Sequence, residues 1–166
     1  KDYTPYHINQ VLALKLVNRD AIAQADLKIV VDAVNSVGGV VIPALLRALG
    51  VKEIIELNCE PTGHFAHNPE PIPENLTQIA AKMKESRADL GIVVDPDVDR
   101  LALISENGEM FGEEYTLVAV ADYVLKHTPG NTVSNLSSSR ALKDVTEAYG
   151  QQYHAAAVGE VNVVAE

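Results

Sequence analysis

Apolar positions recur along the chain in two rhythms, and their alternation sets out an architecture. In YHINQVLALKLVNRDAIAQA, Ile8, Val11, Leu12, Leu14, Leu16 and Val17 keep roughly helical spacing, which predicts a helix over 6–18. LKIVVDAV (27–34) is a short, continuous, β-branched run, as in a strand covered on both faces. NSVGG (35–39) reads as a turn and VVIPALLRALG (40–50) as a helix ended by Gly50. EIIELN (53–58) predicts a strand, and a proline-rich loop follows from Cys59 to Pro73. PENLTQIAAKMKESRA (73–88) predicts a helix with Pro73 and Glu74 in its first turn. DLGIVVD (89–95) is another buried strand, and RLALISENGEMFG (100–112) reads as a strand, an Asn107-Gly108 turn and a return. EEYTLVAVADYVLKH (113–127) is helical.

Alternating strands and helices of this kind predict an α/β domain over 1–127, a three-layer α/β/α stack on a mostly parallel mixed sheet. After TPGN, read as a linker, the pattern restarts. TVSNL is a strand, SSRALKDVTEAYG a helix capped by Ser138 or Ser139, QQYHAAAV a strand, and GEVNVVAE the start of a helix. Residues 130–166 therefore read as an incomplete second α/β domain. The chain opens at Lys1 without an initiator Met and stops inside that last helix, so it is expected to be a piece of something longer. A truncated sheet would leave an open edge and apolar surface, and self-association is the expected consequence.

Composition narrows the class. With 47% apolar and 22% charged residues the chain is globular rather than disordered. No apolar run is long enough to span a membrane and no leader pattern is visible, which reads as a cytoplasmic protein without membrane partners. The lone Cys59 excludes a disulfide framework and a cysteine zinc site. A net charge of -10 with no basic patch argues against nucleic acid. It also disfavours phosphate ligands, unless a cation and a few arginines reverse the field locally.

Against that background LGIVVDPDVDRLALI (90–104) stands out, because Asp95, Asp97 and Asp99 crowd into five residues between two apolar runs. Their mutual repulsion is relieved either by separate solvation, as in an ordinary acidic turn, or by a shared hard cation such as Mg²⁺. In an extended segment the three share one side, and a loop leaving a strand end would gather them, at the sheet edge where α/β folds bind ligands. An EF-hand fails, since Arg100 occupies the glycine position and a strand the following ones. An aspartate-nucleophile phosphatase of the haloacid-dehalogenase class, with Asp95 attacking, remains an alternative, although Asp99 replaces the Thr or Val of its motif. A non-enzymatic metal-binding module is a third reading.

The same stretch, DPDVDRLALISENGEMFGEEYTLV, resembles the D-G-D-x-D-R metal loop of the phosphohexomutases, the phosphoglucomutases, phosphomannomutases and phosphoglucosamine mutases. VVDAVNSVGG is similar to that family's D-x-x-x-G-x-G-G turn, and ELNCEPTGHFAHNPEPIPENL to its N-x-x-P-D-G-x-F-x-H-N-P-E-P segment. ADLGIVVDPDVDR keeps the A-D-L-G-I lead-in, and the agreement is co-linear from about Tyr6 to the end.

The resemblance implies the second domain and the start of the third domain of a four-domain enzyme. Such an enzyme moves a phosphoryl group between the 1- and 6-positions of a hexose by way of a phosphoserine and a hexose 1,6-bisphosphate. On it, Asp95, Asp97 and Asp99 match the Mg²⁺ ligands and Arg100 the arginine that contacts the reacting phosphoryl group. Gly159 and Glu160, in AAAVGEVNVVAE, match a third-domain segment that approaches the sugar. The partner implied is a small sugar phosphate. No catalytic residue falls in this chain: FAHNP is similar to the phosphoserine motif T-A-S-H-N-P, but no serine precedes His67, and the serine is expected upstream. Pro96, Val98 and Ser36 depart from the family pattern, so Gly38 and Gly39 read as a strand-to-helix turn rather than a phosphate cradle, and His64 and His67 as structural loop residues.

Overall fold

The computed structural model describes residues 1–166, the side chain of Glu113 excepted. Chain contacts divide it into two units, Lys1–Phe111 and Gly112–Glu166.

The first unit opens with two helices, α1 (Thr4–Leu12) and α2 (Arg19–Gln24). The single helix expected over 6–18 therefore ends early. Leu14 points to solvent, and Asn18 starts a new helix by accepting a hydrogen bond from the Ala21 N–H at 3.0 Å, with Asp20 in the first turn. Strand β1 (Lys28–Asp32) follows, shorter than its apolar run because Val34 and Asn35 adopt left-handed backbone angles. Helix α3 (Gly38–Leu49) begins with the two glycines assigned to the turn and closes on the left-handed Gly50 as expected. After β2 (Glu53–Leu57) and the loop, the helix expected over 73–88 splits into a 3₁₀ turn, Pro73–Asn75, and α4 (Thr77–Ser86). Strands β3 (Leu90–Val94) and β4 (Leu101–Ser105) complete the sheet, and the expected return strand is a single bridge between Ile104 and Met110.

The sheet order is β2-β1-β3-β4, with β1 parallel to both neighbours and β4 antiparallel to β3. Period-two alternation sends Ile29 and Val31 to one face, where they meet Ile42 and Leu46 of α3. Val30 and Val93 face the other way, onto Leu76, Ile79 and Met83 at α4. This is the mostly parallel α/β/α layering the sequence predicts. Connections leave β1 toward β2 and return to β3 on its opposite side, so the carboxyl ends of β1 and β3 flank a topological switch point.

In the second unit, α5 (Glu113–His127), β5 (Thr132–Asn135), α6 (Ala141–Ala148), β6 (Tyr153–Ala156) and α7 (Glu160–Ala165) follow in order, and β5 pairs with β6 in parallel. Helix α5 was grouped by sequence with residues 1–127. It belongs instead to this unit, where it packs against α6 and its Asp122 accepts the Tyr149 hydroxyl at 2.9 Å. The division thus falls at Phe111 and Gly112, before the helix rather than at TPGN. Arg140 is the residue at the α6 cap, and Ser139 Oγ accepts from the Ala141 N–H at 3.3 Å.

Candidate metal centre at the strand ends

Strand β3 delivers Asp95 to the sheet's carboxyl edge, where it is 1% exposed. Pro96 then turns the chain, and the Val98 N–H donates to the Asp95 carbonyl at 3.2 Å. Val98 takes a left-handed φ of 63°, costly for a β-branched residue, and this reverses the backbone so that Asp97 and Asp99 come back toward Asp95. One oxygen from each of the three aspartates lies within 4.8 Å of the others. Oxygens sharing one Mg²⁺ at about 2.1 Å sit at most about 4.2 Å apart. Shifts of under about an ångström therefore close the site, and an all-oxygen, all-anionic donor set suits a hard cation.

Arg100 is the other half of the arrangement. Its backbone N–H donates to Asp95 Oδ1 at 3.1 Å and its Nε to Oδ2 at 2.9 Å, so both oxygens of the buried carboxylate are bonded. Nε lies 3.8 Å from Asp99, and Nη1 lies 3.6 Å from Glu70. Burial pushes the Asp95 carboxyl up, but the two bonds from Arg100, the contact with Asp99 and the charge of Arg100 together outweigh it and hold it below the ordinary carboxylate range. Asp99 is pushed up, first by its contact with Asp95 and then by the charge of Asp97. Arg100 is held protonated chiefly by its bond to Asp95. Each oxygen accepts one bond from Arg100 and keeps a second lone pair, which a cation shared with Asp97 and Asp99 can use.

The first turn of α3 is pressed onto this loop. A Cβ on Gly38 would lie 2.5 Å from Val94 Cγ2 and 3.4 Å from Val98 Cγ2, and one on Gly39 would lie 2.2 Å from the Cys59 carbonyl oxygen. Both glycines serve close packing. Their helix also turns its positive end toward the acidic loop.

A second buried carboxylate, Asp32, the aspartate of the VVDAVNSVGG turn, lies at the end of β1. It accepts the Val34 N–H at 3.0 Å, the Asn58 amide at 3.2 Å, and faces His67 Nε2 at 3.2 Å. His67 Nδ1 in turn faces the Asn68 carbonyl at 2.8 Å, so both ring nitrogens have a partner. The signal was an aspartate inside an apolar run, which must find partners when the strand is buried. His67→Ala is expected to cost about 2 kcal/mol by removing one partner of a buried carboxylate. Urea unfolding checks it, and an unchanged midpoint would show the contact dispensable.

Cys59 is half-buried, and its thiol is pushed up to about 11 by burial first and then by the charges of Glu56 and Asp32, which disfavours the thiolate at neutral pH. Gly159 and Glu160 belong to the second unit, both exposed. Gly159 heads α7 with φ at 123°, and Glu160 is the helix's first residue. Among the described residues no helix is long and apolar enough to cross a membrane.

An α/β/α domain with a carboxylate-rich loop at its switch point defines the class, and comparison with known proteins gives the family. Residues 5–108 match the domain described as "Phosphoglucomutase/phosphomannomutase, alpha/beta/alpha domain II", and residues 112–166 match "alpha/beta/alpha domain III" of the same family. The chain belongs to the phosphoglucomutase/phosphomannomutase family. A "Probable phosphoglucosamine mutase" of Methanopyrus kandleri is 35% identical over 161 residues, covering 96% of this chain and 34% of that protein. A "Phosphoglucomutase/phosphomannomutase" of Thermococcus kodakarensis is 37% identical over 149 residues, covering 89% of this chain and 32% of that protein. A crystal structure of a family protein from Burkholderia thailandensis superposes with a TM-score of 0.76 at 32% identity, covering 93% of this chain and 35% of that one. The chain spans about a third of the length of these relatives.

Proposed function

We propose that the chain supplies the cation-binding part of a cytoplasmic phosphohexomutase. Such an enzyme interconverts hexose 1-phosphate and hexose 6-phosphate through a phosphoserine on another segment and a hexose 1,6-bisphosphate. The observation that carries this reading is the convergence of Asp95, Asp97 and Asp99 within 4.8 Å, beside Arg100, at the carboxyl end of β3. Those aspartates would hold Mg²⁺, whose chemistry is Lewis-acid neutralisation of phosphoryl charge. Arg100 offers a planar fork to the same phosphoryl oxygens, and phosphoryl transfer depends on such positioning and charge compensation more than on covalent help. Gly159 and Glu160 contribute sugar contacts. The relatives are named as phosphoglucomutase/phosphomannomutase and as phosphoglucosamine mutase, which supports a small sugar phosphate as substrate class.

Calorimetric titration of the chain with Mg²⁺ tests the reading directly. The wild type is expected to bind one cation, and Asp97→Asn combined with Asp99→Asn is expected to weaken binding by at least about a hundredfold, since two of three charged ligands are lost. Equal affinity in the double variant would remove the site. Without a matching serine, the chain alone is expected not to turn over hexose phosphate.

A further inference from the structure

The H-N-P-E-P segment lies between the two strand ends, and its glutamate has no role in the reading above. We propose that Glu70 is a positioning residue that fixes the guanidinium plane of Arg100. The inference rests on the assignment of Arg100 to the phosphoryl group.

Glu70 is held from both sides. Pro69 and Pro71 restrict the backbone around it. Its N–H donates to Asn68 Oδ1 at 3.3 Å, and its carbonyl accepts from the Asn75 amide at 2.8 Å and from the Ile72 N–H at 2.9 Å. Three residues earlier in the same loop, His67 is tied to the buried Asp32 at 3.2 Å. A constrained backbone limits the region that this carboxylate can reach. That charge lies 3.6 Å from Arg100 Nη1, while Asp95 holds Nε at 2.9 Å. Two anchors on different nitrogens define the plane of a guanidinium, where one anchor leaves it free to swing about the bond. The remaining donors are then preset to meet a planar or tetrahedral oxyanion. Both side chains of the Glu70 pair are more than half exposed, so its contribution to stability is small and its effect is on orientation.

Nitrogen-15 NMR of the chain, at 17.9 kDa, reads the outcome through the Arg100 Nε–H resonance, identified by its loss in Arg100→Lys. The order parameter is expected to be roughly 0.8 in the wild type, below about 0.6 in Glu70→Gln, and intermediate in Glu70→Asp. Raising salt to about 1 M shortens the screening length to about 3 Å and is expected to move the wild type toward the variant. That measurement needs no folded variant. Backbone amides of the β-sheet stay unshifted throughout. Equal Nε order in wild type and Glu70→Gln, or salt-independent order in the wild type, would overturn the proposal. Failure of Mg²⁺ to shift amides 95–100 in the wild type is a separate result, which removes the cation reading and leaves the Nε comparison to decide the role of Glu70.

Discussion

Gly39→Ala is expected to abolish the native fold, or to leave it destabilised by about 4 kcal/mol or more, with a melting midpoint at least roughly 10 °C lower. The argument is geometric. An added Cβ would stand 2.2 Å from the Cys59 carbonyl oxygen and 2.6 Å from its carbonyl carbon and Cα, all backbone atoms that cannot rotate aside. Relief requires α3 to move away from the segment after β2. The same helix is packed through Leu46 and Ile42 onto the β1 face, and its neighbour Gly38 touches the strand end that carries Asp95. Displacement therefore reaches both the core and the acidic loop. Ala at Gly63 is the control: that glycine also has positive φ, at 74°, but nothing lies within 4 Å of its Cβ position, so only backbone strain of about 1 kcal/mol is expected. Circular dichroism melts of both variants check the pair, and similar midpoints for the two would refute the packing argument.

Much of this was legible in the residues. Continuous β-branched runs gave β1 and β3, and their alternating faces gave the layers, because burial on both sides leaves no polar positions. The three aspartates were legible because like charges in five residues demand a cause. Less visible was what distant residues supply. Nothing in HNPEP says that His67 will reach Asp32 or Glu70 Arg100, since those pairs depend on how a loop crosses strand ends 30 or more residues away in the chain. The early end of α1 was lost for a different reason. Leucines at positions 14 and 16 continue the apolar count while breaking the stripe, and only the Asn18 cap marks the restart. The division at Gly112 was hidden because α5 has helical sequence whichever unit it joins, and only its contact with α6 decides.

Arg100→Ala is expected to turn the buried Asp95 into a pH- and cation-dependent weak point. In the wild type burial raises the Asp95 pKa, yet the bonds and charge of Arg100, with the contact to Asp99, win and lower it below the ordinary value. Such a group adds stability above its unfolded value and loses it as pH falls through the folded one. In the variant the position-100 backbone N–H still reaches Oδ1, but the Nε bond and the positive charge are gone. Burial then meets only that backbone bond and the contact with Asp99, and the folded pKa is expected to rise. The stability that the ionised carboxylate adds above its unfolded value is reduced accordingly. The gap between the two proteins is therefore smaller near pH 4 and grows toward neutrality, where the variant's melting midpoint is expected to lie roughly 5 °C or more below wild type. A cation shared by Asp95, Asp97 and Asp99 would replace the missing charge, so saturating Mg²⁺ should raise the variant's midpoint more than the wild type's, by the mass-action stabilisation of a ligand that binds only the folded state. Scanning calorimetry at pH 4 and pH 7, with and without Mg²⁺, separates the possibilities. A deficit independent of pH would show that Arg100 acts through packing alone. Equal stabilisation of both proteins by Mg²⁺ would show that guanidinium and cation do not share the Asp95 carboxylate.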